Sequence, residues 1–227
     1  MSAPGVRARV RAEMTQEIKT MARRHLASDG ANLSLRAVAR DLGMASSAVY
    51  RYFASRDELL TALIIDAYDA VGAAAERAAS DADGHTSRWL AAACAVREWA
   101  LAEPHQWALL YGSPVPGYRA PQDTVGPGTR VLLLIGRILQ DAYEAGQVVD
   151  GEPVAGRYAE ELAAVAGQVG PDVPARLVGV AFGIFFQMCG AISGEVFGQL
   201  ANSVEDDRRG LFEFQMRGAA HWAGLRG

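Results

Sequence analysis

Between Ser34 and Leu60 the chain reads SLRAVARDLGMASSAVYRYFASRDELL, two short apolar-striped segments divided by a glycine, and few folds accommodate that spacing. Ser34 can accept a hydrogen bond from an unpaired first-turn N–H and so starts a helix. Leu35, Val38, Ala39 and Leu42 then recur at helical intervals and form one apolar stripe. Gly43 follows where the chain must reverse, in a conformation a Cβ would penalise.

The second helix is expected over roughly Ser46 to Tyr52, with Val49 and Phe53 four residues apart and turned inward. At about 100° per residue, Ser47 and Arg51 then point away from Val49, while Ala48 and Tyr50 lie on the flanks. Small residues near its N-terminal end let such a helix enter a major groove, and arginine and tyrosine supply donors for base edges or phosphates. Ser55 with Glu58 three residues on is a capping box, opening a helix that continues through Leu59, Leu60, Leu63, Ile64, Ala67 and Tyr68. Arg56, at that helix start, is placed to reach a phosphate. The expected DNA-contacting set is Ser34, Ser46, Ser47, Tyr50, Arg51, Tyr52 and Arg56.

These residues resemble the N-terminal domain of TetR-type transcriptional regulators. Gly43, Met44, Val49, Tyr50, Tyr52, Phe53 and Leu59 match that family's pattern, with Arg56 where it usually has lysine. Ala45 departs from it, because the family caps its recognition helix with serine there; the expected cap moves to Ser46.

The formal net charge of −4 argues against a nucleic-acid partner only until its distribution is considered. Residues 1–60 hold ten Lys and Arg against six Asp and Glu, whereas the remainder holds twelve against twenty. Arg7, Arg9 and Arg11 are read as preceding the first helix, either as a mobile arm along the phosphates or minor groove or as a solvated terminus. Cys94 and Cys189, both in apolar surroundings, do not suggest a disulfide framework; with no secretory signal visible, they fit a reducing cytoplasm. Residues 177–194 carry no charge and meet the length for a membrane span. Gln187 near the middle, four glycines and the missing basic flank favour a buried core or dimer helix, and no membrane partner is expected.

No convincing strand alternation occurs, so the expected fold is all-α: a helix-turn-helix three-helix DNA-binding domain plus a larger helical dimerisation and ligand-binding domain. Val10, Met14, Ile18, Met21, Ala22 and Leu26 mark the first helix. The DNA domain is placed at 1–60, with a connecting helix to about 80, and the second domain at 81–227. Further helices are expected over 86–102, 106–111, 129–145, 153–168, 174–200 and 204–225. A stiff connector, SPVPGYRAPQDTVGPG, interrupts them.

EPHQWALLYGSPVPGY followed by APQDT resembles the C-terminal domain of a TetR subgroup common in high-GC actinobacteria, in keeping with 21 Arg to 1 Lys. The subgroup's later Trp…His-Gly element is matched only in part, since Phe185, Cys189 and Gly190 align with it. An enzyme is not expected: His25, His85, His105 and His221 are dispersed, no zinc-ligand or nucleophile-elbow spacing occurs, and no cofactor or metal is implied. Large apolar residues such as Trp89, Trp99 and Met188 either fill the second domain's core or, as the resemblance implies, line a cavity for a small molecule. For that ligand the candidates are His105, Trp107, Tyr111, Phe182, Phe186 and Cys189, with His105, Gln187 or Cys189 supplying the polar contact. The expected function is a ligand-responsive repressor acting as a homodimer on an inverted-repeat operator in double-stranded DNA. The alternatives are an activator or global regulator, or a helical small-molecule-binding protein without DNA activity.

Overall fold

The computed structural model describes residues 3–29, 33–149, 151–169 and 173–226. Their regular structure is helical; among the described residues the β-geometry is one isolated antiparallel bridge, Val148 to Leu225. The residues group into two compact units, 1–68 with 103–125, and 69–102 with 126–227. The 103–125 segment, which the sequence reading assigns to the second domain, therefore groups with the helix-turn-helix.

In the first unit, α1 (Ala3–Asp29), α2 (Leu35–Asp41), α3 (Ser46–Val49) and the start of α4 (Arg56–Ser80) share a core that includes Ile18, Ala22, Val38, Val49, Phe53 and Leu60. Arg7, Arg9 and Arg11 lie inside α1, which corrects the expectation that they precede it. Pro4 falls in the first turn, where its missing N–H removes no helical bond. Asp66 on α4 accepts from Lys19 Nζ at 2.9 Å and from Arg23 Nη2 at 2.8 Å, pinning α1 to α4. His25 Nε2 lies 2.8 Å from Asp41 Oδ2, joining the ends of α1 and α2. After α5 (His85–Ala102), a short helix, α6 (Pro104–Tyr111), packs on α1; Leu109, Val115 and Tyr118 extend the same core, and the Tyr118 hydroxyl meets Thr61 Oγ1 at 2.9 Å.

The second unit contains the rest of α4 with α5 (His85–Ala102), α7 (Val125–Glu144), α8 (Arg157–Val169), α9 (Ala175–Val196) and α10 (Arg208–Trp222). The helix α7 begins four residues before its expected start, because Pro127 lies in a first turn whose N–H groups have no intrahelical acceptor. Conversely, α8 begins four residues late: Gly156 has φ +79°, outside helical geometry. Gly198, at φ +75°, ends α9 in a motif where the Gln199 N–H bonds back to the Gly194 carbonyl at 2.8 Å. The Asp207 side chain caps α10 by accepting from Gly210 N at 2.7 Å, so the helix begins at Arg208, four residues beyond its expected start.

α5, α9 and α10 pack on one another. Trp89 is buried and donates its indole N–H to the Met216 carbonyl at 2.9 Å. Arg97 and Glu195, each 8 % exposed, form a two-pronged pair at 2.7 and 2.6 Å, with the Arg97 guanidinium 5.7 Å from the Phe212 ring centre. Among the described residues one helix, α9, is long and apolar enough to cross a membrane by length and composition; half of its most apolar window is buried inside the protein.

Candidate nucleic-acid interface

The helix-turn-helix is built by local signals that the sequence carries openly. Ser34 caps α2, accepting from Ala37 N at 3.4 Å. Gly43 sits at φ +67°, and the Met44 N–H returns to the Ala39 carbonyl at 2.8 Å, so the chain reverses over two residues. Val49 and Phe53 are buried against α2, as their spacing predicts.

The recognition segment differs from expectation in two respects. Ala45, not Ser46, occupies the cap position: it is extended at φ −61°, ψ 137°, and its carbonyl accepts the first helical bond from Ala48 N at 2.8 Å. An alanine offers no side-chain acceptor, so α3 starts without a side-chain cap. The helix also ends at Val49 rather than Tyr52, because Arg51 N and Tyr52 N bond three residues back, to Ala48 and Val49, and tighten the chain into turns.

Of the seven candidate DNA residues, Ser34, Ser46, Ser47, Tyr50 and Arg51 are exposed, while Tyr52 and Arg56 are half-buried. All seven belong to the first unit. Arg56 lies 3.4 Å from Asp57 Oδ1. Below it, the capping box forms with one change: Glu58 N donates to Ser55 Oγ at 3.1 Å, but the Glu58 carboxylate accepts from Ala54 N at 2.6 Å instead of from Ser55.

Sequence reasoning missed the use made of Arg11. Its Nη2 donates to the Arg51 carbonyl at 2.9 Å and its guanidinium lies 5.2 Å from the Tyr52 ring centre. No sequence spacing signals a contact across forty residues.

The six candidate ligand residues, expected in the second domain, are divided between the two units. His105, Trp107 and Tyr111 are on α6 in the first unit, where Trp107 is fully buried, 4.3 Å from the Tyr111 ring. The cause is the apolar face of α6 and its following loop, which pack on α1 and its core. Phe182, Phe186 and Cys189 are on α9 in the second unit. Burial pushes the Cys189 thiol up to about 12. Phe186 is 63 % exposed and borders a groove of about 390 Å³ between α9 and α10, with Gly190, Leu200, Leu211 and Gln215 also on its walls. Phe182 borders an apolar slot of about 40 Å³ formed by α7, α8 and α9.

A glycine-turned helix pair that buries Val49 and exposes Ser46, Ser47, Tyr50 and Arg51 defines a helix-turn-helix DNA-binding transcription regulator. Residues 20–63 match the domain described as bacterial regulatory proteins, tetR family, and residues 89–219 match the tetracyclin repressor-like C-terminal domain. The chain belongs to the TetR family. It is 42% identical over 222 residues to the HTH-type transcriptional regulator Rv1816 of Mycobacterium tuberculosis, covering 94% of this chain and 93% of the relative. The crystal structure of regulatory protein SCO4313 superposes with a TM-score of 0.79 at 30% identity, covering 94% of this chain and 98% of that one. A protein of unknown function from Rhodococcus sp. RHA1 follows at a TM-score of 0.68 and 26% identity, covering 90% and 94%.

Proposed function

We propose that this TetR-family regulator is a repressor that binds an inverted-repeat operator as a homodimer and is released from it by a mostly apolar small molecule. The observation that carries the dimer is the exposed aromatic surface of α9 and α10: Phe186, Phe214 and Trp222 are 63%, 70% and 59% exposed, an apolar display that a second copy would cover. Two-fold pairing presents two recognition segments, which is why the operator is expected to be an inverted repeat. Base contacts are assigned to Ser47 and Arg51, and phosphate contacts to Ser34, Tyr50, Tyr52 and Arg56, with Ser46 at the start of the same helix.

Gly190, where an added Cβ would meet nothing within 4 Å, is the glycine available for close approach by a partner helix. Gly183 is not, because the Trp222 ring of the same chain already lies 2.7 Å from where its Cβ would be. For the effector, the slot beside Phe182 supplies apolar walls but is far smaller than the roughly 300–1,000 Å³ of a small-molecule site. Entry therefore requires α7, α8 and α9 to separate, and that opening gives the ligand a preference for one arrangement of the protein over another.

The test is a duplex selected from a random-sequence pool by the full chain, titrated with wild type, Arg51→Ala and Gly190→Trp. Arg51→Ala is expected to cost about 1–3 kcal/mol on that duplex, and Gly190→Trp to dissociate the dimer in sedimentation and weaken binding together. A wild-type monomer at micromolar concentration, or an unchanged affinity for Arg51→Ala, overturns the corresponding part. Release of the duplex by no member of a panel of apolar metabolites removes the effector arm.

A further inference from the structure

The recognition helix is short of fixation at both ends. Only four residues of α3 are helical, Ala45 contributes no capping side chain, and residues 50–52 leave in a turn. A single helical turn does not hold itself in water, so its geometry must come from what packs on it. Val49 supplies one anchor from the core side. The polar end is met by Arg11: the guanidinium donates to the Arg51 carbonyl, a group left over at the helix exit, and rests on the Tyr52 ring. A cation at this end also suits the partial negative charge of the last carbonyls.

We propose that Arg11 is a positioning residue for sequence-specific DNA binding, latching the 50–52 turn to α1 and so fixing the backbone from which Arg51 projects. The inference rests on the reading of Arg51 as a base-contacting residue. Arg11 differs in kind from a phosphate-contacting arginine. Its planar fork is committed to a carbonyl and a ring of its own chain, and lysine, with a compact ammonium, reproduces the charge without that geometry. A phosphate contact weakens binding to all duplexes alike and takes about one unit from the salt slope when removed. A latch affects the selected duplex more than a scrambled one and leaves the slope in place.

The experiment uses the full chain as wild type, Arg11→Ala, Arg11→Lys and Arg51→Ala. Amide hydrogen exchange without DNA is read at Tyr52 and Phe53, with α2 and α4 as internal references for intact folding. Binding is read as the ratio of affinities for the selected duplex and a scrambled duplex of equal length, across a salt series. The expected result is about three- to tenfold faster exchange at the turn in Arg11→Ala, a loss of similar size in the ratio, an unchanged salt slope, and incomplete rescue by Arg11→Lys. Unchanged exchange overturns the latch, as does a uniform loss on both duplexes with a slope reduced by about one and full rescue by lysine. A ratio unaffected by Arg51→Ala, with exchange still accelerated in Arg11→Ala, overturns the base-contact reading while retaining the latch as a purely structural contact.

Discussion

Gly72 makes room for Arg130. A Cβ at Gly72 would lie 3.1 Å from the Arg130 Cβ, Cδ and Nε, so the α7 arginine lies flat across α4. There its guanidinium reaches Glu76 at 3.0 and 2.6 Å and Asp69 Oδ1 at 2.9 Å, one turn to either side of the glycine.

Substitution at this crossing separates propensity from packing. In an exposed helix, Gly→Ala gains roughly 0.5–1 kcal/mol, but here the opposing atom includes the Arg130 Cβ, which moves only with α7. Gly72→Ala is expected to realise none of that gain and Gly72→Val to destabilise, as read from urea midpoints. The half-exposed acids limit the worth of Arg130 itself, so Arg130→Ala should cost about 1 kcal/mol. Hydrogen bonding from Arg130 holds the Glu76 carboxyl below its usual value, so this contribution is present above the unfolded carboxylate range and lost as pH falls through the lower folded value. The difference between wild type and Arg130→Ala should therefore shrink on acidification; a difference independent of pH would contradict the assignment.

The buried Arg97–Glu195 pair should respond asymmetrically to mutation. Removing one partner, as in Glu195→Leu, leaves a desolvated guanidinium and is expected to cost about 3–5 kcal/mol. Replacing both, as Arg97→Met with Glu195→Leu, should recover most of that loss in denaturant titrations. A double variant as unstable as the single one would show that the pair's shape, rather than its charge, matters.

Asp41 predicts an acid-sensitive joint at the reading head. The hydrogen bond from His25 is the largest cause holding its carboxyl below the usual value, with Arg40 adding to it. A depressed folded value means that the stabilisation exists above the unfolded carboxylate range and disappears as pH drops through the folded one. Asp41→Asn should lower the melting temperature at neutral pH and converge with wild type in acid. Parallel pH profiles would sink the idea.

Burial makes both thiols poor nucleophiles: Cys189 is pushed up to about 12 and Cys94 is raised, again chiefly by desolvation. A thiol-reactive disulfide reagent at mildly alkaline pH should label the native protein slowly and the urea-unfolded chain at once. Rapid native labelling at Cys189 would mean that α9 opens far more often than its packing implies.

Much of the first unit was legible because its devices are local. Ser34, Gly43 and the Ser55–Glu58 box act within a few residues of their own positions, and Val49 and Phe53 declare their inward face by spacing. The all-helical architecture was readable for the same reason. What escaped depends on distant partners or on a single backbone angle. The α6 segment joins the first unit through Leu109 and Tyr118, whose neighbours lie far back in the chain; Gly156 delays α8 through its φ alone. Arg11 was visible as a charge but not as a contact, and the ligand residues were grouped by chemistry when the fold divides them.

The pinning of α1 by Asp66 has a consequence for how this protein searches a genome. Lys19 and Arg23 contribute to the basic excess of the N-terminal residues, yet both are paired with one carboxylate, Asp66, of the same unit, which offsets half of their charge. Ions condensed on a duplex are displaced only by cations that reach phosphates. The number released on docking will therefore fall short of what the head's composition suggests, and nonspecific encounters will be correspondingly brief. Replacing Asp66 with asparagine would return two cations to that task at the cost of a looser α1, lengthening residence on random DNA while blurring the preference for the right sequence.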